Sequence, residues 1–173
     1  MGEKAIFLDR DDTLMVNVPY LNDPSGVKLF PETRNELKRL KAANYRLIII
    51  SNQSGVARGL CTLAEVQAVN QELERQLAPV ILDAIYISPD GPDDKNSLTR
   101  KPAPGLIFQA RDEFKLNLKD CFMIGDKALD VECGKSANCQ TIHLQRSGSG
   151  DNLYHADFVA KNLTDAADWI LKR

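Results

Sequence analysis

Short apolar runs recur along the chain, spaced by segments whose apolar residues fall at helical intervals. Lys4–Leu8 reads as a first strand, and Leu47-Ile48-Ile49-Ile50 is a β-branched run of the kind buried inside a sheet. Between them Pro31–Ala43 predicts a helix, with Leu37 and Leu40 on one face and Pro31 in its first turn. Thr62-Leu63-Ala64-Glu65 has capping-box form, and Val66, Val69, Leu73 and Leu77 follow on one helical face. Ala84–Ser88 reads as a strand, and a helix opened by Pro104 carries Leu106, Ile107, Ala110 and Phe114. Cys121–Ile124 and Thr141–Leu144 read as strands, Leu129–Ala137 and Leu163–Leu171 as helices. Alternating β and α with continuously apolar strands implies an α/β fold, a parallel sheet with helices on both faces. Val16–Lys28 and Pro89–Thr99, rich in Pro, Gly and Asp, read as loops. Neither a repeat nor a linker breaks the pattern, so residues 1–173 are expected to form a single domain.

Composition narrows the class. Of 173 residues, 43% are hydrophobic and 27% charged, which suits one packed domain and excludes a disordered or collagen-like chain. Basic and acidic residues number 22 and 24, for a net charge of −2, with no basic stripe, so neither nucleic acid nor an anionic membrane is an expected partner. No apolar run approaches the roughly 18–20 residues that span a bilayer. Ala5-Ile6-Phe7-Leu8 is too short for a signal-peptide core, and Ile6 breaks the myristoylation pattern after Gly2, so a cytoplasmic protein is expected. Cys61, Cys121, Cys133 and Cys139 contain no Cys-x-x-Cys pair and read as reduced, buried thiols. The Asn52-Gln53-Ser54 and Asn162-Leu163-Thr164 sequons are then chance matches.

In parallel α/β sheets, ligands gather beyond the carboxyl ends of the strands. Here those ends carry Asp9-Arg10-Asp11-Asp12-Thr13, Ser51-Asn52-Gln53-Ser54-Gly55 and Gly125-Asp126-Lys127 with Asp130 a turn later; a loop supplies Arg100-Lys101-Pro102. Asp9 and Asp11, two apart, lie on the same side of an extended segment. Carboxylates that face one spot repel and call for a cation, and with Asp126, and with Asp130 as a further candidate, they make an all-oxygen site suited to Mg²⁺. One carboxylate can attack phosphorus and the other can protonate the leaving oxygen and then activate water. Lys101, the Ser51 hydroxyl and the backbone N–H groups of Asn52–Gly55 suit charge on a transferring phosphoryl group. A lone Asp-x-Asp after a strand is usually a turn or cap; it is the joint, ordered occurrence at successive strand ends that points to a site.

As a set, Asp9-Arg10-Asp11-Asp12-Thr13-Leu14, Ser51, Lys101 and Gly125-Asp126-Lys127 with Asp130 resemble the motifs of the haloacid dehalogenase-like (HAD-like) phosphatases. The resemblance implies a Rossmann-like fold, Asp9 as nucleophile, Asp11 as acid/base, and Ser51 and Lys101 as phosphoryl-binding groups. It implies Mg²⁺ held by Asp9, the backbone carbonyl of Asp11, and Asp126. Leu8-Asp9-Arg10-Asp11, the run Ser51–Gly59 and Arg100-Lys101-Pro102 are similar to the D-glycero-D-manno-heptose 1,7-bisphosphate 7-phosphatases and to the histidinol-phosphatases. In those families the segment matching Asn17, Val18, Pro19 and Tyr20, the Asn52-Gln53-Ser54 loop, the Arg100-Lys101 pair and Lys127 contact substrate. Arg58, near the phosphate loop, is added on chemical grounds as a guanidinium for a second anionic group.

Two positions depart from the pattern. Asp12 stands where the family usually has Gly; Asp tolerates positive φ better than most residues, so activity is expected to survive. The zinc loop that relatives often carry, Cys-x-His followed by Cys-x-Cys, has no counterpart, since Ser88–Thr99 contains neither Cys nor His; zinc is not expected. His143, in a strand, and His155, near a turn, read as structural or surface residues. The intervals Asp9–Ser51 and Ser51–Lys101 leave no room for a large cap domain, so the loops should wall an open site. The expected activity is a Mg²⁺-dependent phosphomonoesterase acting on a small phosphorylated sugar such as a heptose bisphosphate, from a monomer. Histidinol phosphate, a broad range of small esters, a polynucleotide 3′-phosphate, or an inactive phospho-ligand-binding module remain open alternatives.

Overall fold

The computed structural model describes residues 2–146, 152 and 154–173. Six parallel strands form one sheet in the order β3-β2-β1-β4-β5-β6. They are β1 (Ala5–Leu8), β2 (Arg46–Asn52), β3 (Ala84–Ser88), β4 (Phe122–Gly125), β5 (Gln140–Leu144) and β6 (Phe158–Ala160). The helices are α1 (Thr33–Ala42), α2 (Leu63–Leu77), α3 (Gly105–Phe114), α4 (Ala128–Ser136) and α5 (Leu163–Leu171). This is the expected α/β, Rossmann-like architecture, without a large cap domain.

Strand pleat divides the core in two. Ile6, Leu8, Leu47 and Ile49 face Leu37 and Leu40 of α1, Leu73 and Leu77 of α2, and Ala166 and Ile170 of α5. Ala5, Phe7, Ile48 and Ile50 face the other way, onto Leu106, Ile107 and Ala110 of α3 and Cys133 of α4. Both faces of the central strands are therefore dry, which is why those strands read as unbroken apolar runs. Cys61, Cys121, Cys133 and Cys139 are buried, unpaired thiols, and burial pushes the last three well above the ordinary thiol range, Cys121 to about 11 and Cys133 to about 12.

Element bounds differ from the sequence pattern where tertiary contacts intervene. Strand β2 runs on through Ser51 and Asn52 because β3 continues the ladder there, with Ser51 opposite Ile87 and Asn52 opposite Ser88. Helix α1 starts at Thr33 rather than Pro31, since Phe30 N–H and Thr33 Oγ1 both donate to the Leu14 carbonyl, holding Pro31 and Glu32 outside the helix. Strand β6 has no strong local signal at three residues. It forms against β5 and is braced by Phe158 stacking on Trp169 at 5.0 Å.

The order of strands places a switch point between β1 and β4. From β1 the chain crosses to β2 and β3; β4 leads the other way to β5 and β6. Connections diverge there and leave a crevice at the carboxyl ends of the two central strands. The Asp9 N–H donates to the Ile124 carbonyl at 2.9 Å, so the residue after β1 is fastened beside the end of β4. No helix among the described residues is long and apolar enough to cross a membrane.

At the opposite edge, Asp83 ties three elements together. Its carboxylate accepts from the Leu47 N–H at 2.8 Å and from Arg46 Nη1 at 3.0 Å, and pairs with Lys41 of α1. Burial works to raise its pKa, but Lys41, the Leu47 N–H and Arg46 more than offset this and hold it below the ordinary carboxylate value. A depressed folded-state pKa contributes stability above the unfolded value and loses it as pH falls through the folded one. Asp83→Ala is therefore expected to destabilise by about 1–3 kcal/mol near neutral pH, and by progressively less in acid below the ordinary carboxylate range. Urea unfolding of both proteins across that range measures the difference, and a pH-independent gap would contradict the assignment.

Candidate active site

The crevice holds one fully buried ammonium. Lys101 is 3% exposed. Its Nζ donates to Asp9 Oδ1 at 2.6 Å and to the Ile50 carbonyl at 2.8 Å, and meets Asp130 Oδ1 at 2.6 Å. All three ammonium hydrogens thus have acceptors. Burial opposes the charge, but Asp130 and Asp9 overcome it and hold the pKa above its ordinary value. The backbone of Lys101 is clamped as well. Its N–H donates to Asn52 Oδ1 at 2.9 Å, and Asn52 Nδ2 returns a bond to its carbonyl at 3.1 Å.

Asp9, Asp126 and Asp130 bring carboxylate oxygens within 4.8 Å of one another. Asp130 is occupied by Lys101 and by the Lys127 N–H at 3.0 Å. It can approach because residue 125 is glycine: a Cβ there would lie 2.2 Å from the Asp130 carboxyl carbon. Asp126 is different. Its Oδ1 is buried with no hydrogen-bond partner among the described residues, and burial, followed by the Asp9 charge, pushes its pKa up to about 7 despite Lys127. Asp9, Asp126 and Asp130 face two ammonium groups, Lys101 and Lys127, the latter 3.6 Å from Asp126 Oδ2, so negative charge stays in excess and the orphaned buried oxygen is placed to take a cation. The donor set is all oxygen, so the residues present fit Mg²⁺. His143 supports this corner, with its Nε2 3.2 Å from the Asp126 carbonyl.

Asp11 is turned away from that cluster by two neighbours. Arg10, 1% exposed, reaches it with Nε and Nη2 at 3.2 and 3.3 Å and is anchored through Nη1 to Asn70 Oδ1 of α2 at 2.8 Å. Gln53 Nε2 donates to Asp11 Oδ2 at 3.1 Å and to Ser51 Oγ at 2.8 Å. The Asp11 carboxylate thus faces a cleft of about 270 Å³, also lined by Asn17, Val18, Pro19, Tyr20, Asn52, Gln53, Ser54 and Lys127. Tyr20 adopts φ +53° and packs on Gly55, where a Cβ would come within 3.0 Å of its ring. Asp12 adopts φ +61°, the left-handed conformation that glycine usually supplies. Its Oδ1 accepts from the Asn17 N–H at 3.3 Å, while Arg146 holds the Asp12 and Thr13 carbonyls.

Two arginines lie beyond the cleft. Arg58 Nη1 donates to the Tyr20 hydroxyl at 3.0 Å. Arg100 shares an adjoining hollow of about 370 Å³ with Lys101. Burial, then the charge of Arg58, lower the Arg100 pKa against the opposing charge of Asp90, so the two guanidinium groups lie within electrostatic reach of each other. The expected residues are therefore gathered, though in different roles. Asn52 spends its amide on Lys101, and Ser51 is 1% exposed beneath Gln53. Arg10 and Asn70 are not singled out by the sequence pattern, whereas His143, expected to be structural or on the surface, is buried in β5. Arg10 carried a signal in the motif itself, whereas Asn70 lies on a helix face with nothing to mark it.

A family model described as HAD-hydrolase-like matches residues 98–166. The chain is 33% identical to the D-glycero-beta-D-manno-heptose-1,7-bisphosphate 7-phosphatase of Salmonella typhi, over 96% of this chain and 89% of that protein. It is 34% identical to the enzyme of the same name from Helicobacter pylori, over 96% and 97%. Among solved structures it superposes on D,D-heptose 1,7-bisphosphate phosphatase from B. bronchiseptica, complexed with magnesium and phosphate, with a TM-score of 0.86, 27% identity and 98% of each chain covered.

The raised Asp126 pKa carries a sign. A folded-state value above the unfolded one of about 3.9 gives stability that is full below the unfolded value and lost as pH rises through about 7. Without divalent metal, the melting temperature is expected to fall between about pH 4 and about 7 and to level off above that; Mg²⁺ should reduce that fall by pairing with the ionised carboxylate. Asp126→Asn should flatten the same segment. A wild-type slope that persists in the variant would assign the titration elsewhere.

Proposed function

The chain belongs to the HAD-like phosphatases, in the family of the heptose 1,7-bisphosphate 7-phosphatases, and is a phosphoric monoester hydrolase; from that premise we propose that it hydrolyses a bisphosphorylated sugar through a phospho-Asp9 intermediate. The observation that carries the reading is the convergence of Asp9, Lys101 and Asp126 at the β1/β4 crevice, beside a cleft floored by Asp11. Lys101 occupies Asp9 Oδ1, and no described residue hydrogen-bonds Oδ2, leaving that oxygen to attack. As it bonds to phosphorus, the bond from phosphorus to the sugar oxygen breaks and its electron pair goes to that oxygen. Asp11 gives the proton. In the second half Asp11 takes a proton from water, the water oxygen attacks phosphorus, and the acyl phosphate opens to free phosphate and the Asp9 carboxylate.

Mg²⁺ would be held by Asp9, the Asp11 carbonyl and Asp126, and would supply charge neutralisation for the phosphoryl oxygens. Lys101, Ser51 and the N–H groups of Asn52, Ser54 and Gly55 stabilise charge on the transferring group, whereas the Gln53 N–H, also expected there, is spent on the Ser88 carbonyl at 2.7 Å. Arg10 and Gln53 aim the Asp11 carboxylate. Substrate polarity suits Asn17–Tyr20, Gln53, Ser54 and Lys127 around the cleft. Arg58 and Arg100, within electrostatic reach of each other, suit a second phosphate. This is the ground for a heptose 1,7-bisphosphate, cut at the 7-phosphate, over histidinol phosphate or a generic ester. The reading places one domain over residues 1–173, working as a cytoplasmic monomer with Mg²⁺, without zinc, nucleic acid or membrane.

Asp9→Asn is expected to lower kcat by about 10³-fold or more while leaving the circular dichroism spectrum unchanged. Full turnover in that variant would remove Asp9 from the nucleophile's role. A steady-state panel with Mg²⁺ is expected to give the highest kcat/KM on heptose 1,7-bisphosphate. Equal or better values on histidinol phosphate or simple sugar phosphates would overturn the substrate assignment, and no turnover on any of them would indicate a binding module.

A further inference from the structure

The stretch from Pro89 to Lys101 contains no helix or strand, yet it closes on a single carboxylate. Asp90, two residues past the end of β3, accepts through Oδ2 from Ser97 Oγ at 2.5 Å, from Thr99 Oγ1 at 3.0 Å and from Ser88 Oγ at 3.3 Å. The Ser88 and Thr99 hydroxyls are themselves 3.0 Å apart. Ser97 Oγ then accepts from the N–H groups of Thr99 at 3.3 Å and Arg100 at 2.9 Å. The Asp90 carbonyl accepts from Arg100 Nη1 at 3.0 Å. Arg100 is thus held at both ends: its backbone through Ser97, its guanidinium through Asp90 directly. Its other guanidinium N–H groups make no hydrogen bond among the described residues, and Arg100 lines the hollow shared with Lys101.

The next residue is fixed by different partners. Lys101 is clamped by Asn52, Asp9, Ile50 and Asp130; Asn52 lies opposite Ser88 in the β2–β3 ladder, but the bonds that hold Lys101 take nothing from Asp90, Ser97 or Thr99. The two cationic neighbours therefore have separate supports. Loosening the Asp90 cluster releases Arg100 and leaves Lys101, with the chemistry at phosphorus, in place. Charge-assisted bonds from three hydroxyls to one carboxylate are strong enough to hold such a loop in one conformation. They also keep the Asp90 carboxyl below its ordinary pKa.

We propose that Asp90 is a positioning residue: by closing the Ser88–Arg100 loop on its carboxylate it presents Arg100 to the remote phosphate of the substrate, and so sets the preference for a bisphosphorylated sugar. The inference rests on the substrate reading above, and the two are separable by experiment. Steady-state kinetics are compared on heptose 1,7-bisphosphate and on p-nitrophenyl phosphate, which has no second anionic group. In Asp90→Ala, KM for the bisphosphate is expected to rise about tenfold with kcat changed by less than about twofold, equivalent to roughly 1.4 kcal/mol of binding. Both parameters for p-nitrophenyl phosphate should stay within about twofold of wild type. Asp90→Asn, whose amide oxygen still accepts, should recover part of the loss. Ser97→Ala should reproduce the direction, and carries the test if Asp90→Ala does not fold. Hydrogen exchange should show the Arg100 amide opening faster in the variant, with the Lys101 amide unchanged.

A wild-type preference for the bisphosphate that survives in Asp90→Ala and Ser97→Ala overturns the inference and leaves the substrate reading standing. An equal fall in kcat on both substrates also overturns it, since the carboxylate would then serve the chemistry or the fold at large. A wild type with no preference overturns the substrate reading, and the inference with it.

Discussion

The site is organised around an ammonium in a place water does not reach. Removing Lys101 from solvent is costly, and the cost is offset only because Asp9, Asp130 and the Ile50 carbonyl each take one of its hydrogens. Every other requirement follows from that arrangement. Residue 125 must lack a side chain so that Asp130 can come close. Asn52 must lie at the end of β2 to hold the lysine's backbone, and β3 must extend the ladder far enough to keep Asn52 there. The same lysine fixes one oxygen of Asp9 and so defines which oxygen is left for chemistry.

Around that pair the acidic residues divide by environment. Asp130 is neutralised by Lys101 and serves as its counter-ion. Asp126, with an unpartnered buried oxygen and a raised pKa, is the group that gains most from a divalent cation. Asp11 is drawn toward Arg10 and Gln53, where a proton can pass to a leaving group in the open cleft. Three aspartates within a few residues of two strand ends thus acquire three different roles. The cause is what each one touches, since the side chains themselves are identical.

Selectivity is left to loops, because no large cap covers the crevice. Tyr20 is held in a left-handed backbone conformation against Gly55, and Arg58 bonds its hydroxyl, so one wall is rigid without regular structure. The other wall is knitted by hydroxyl donors around Asp90 where metal ligands are lacking in the sequence.

Much was legible from residues alone, and the reason is periodicity. Unbroken apolar strands such as Leu47–Ile50 can be buried only between two helical layers, which fixed the α/β class, and residues just beyond parallel strands must meet at one edge. Asp9, Asp11, Lys101 and Asp126 could be named on that ground. The positive φ at Asp12 was legible too, because few side chains tolerate that conformation. What remained hidden depended on partners distant in the chain. Strand β6 exists through pairing with β5, α1 begins at Thr33 because Leu14 offers its carbonyl, and Arg10 is buried because Asn70 on α2 meets it. Local sequence determines which segments are strands and where their ends carry charge. Which carboxylate binds the lysine, which faces the cleft and which is left without a partner are decided by contacts across about 30 to 90 positions of chain, which no local pattern encodes.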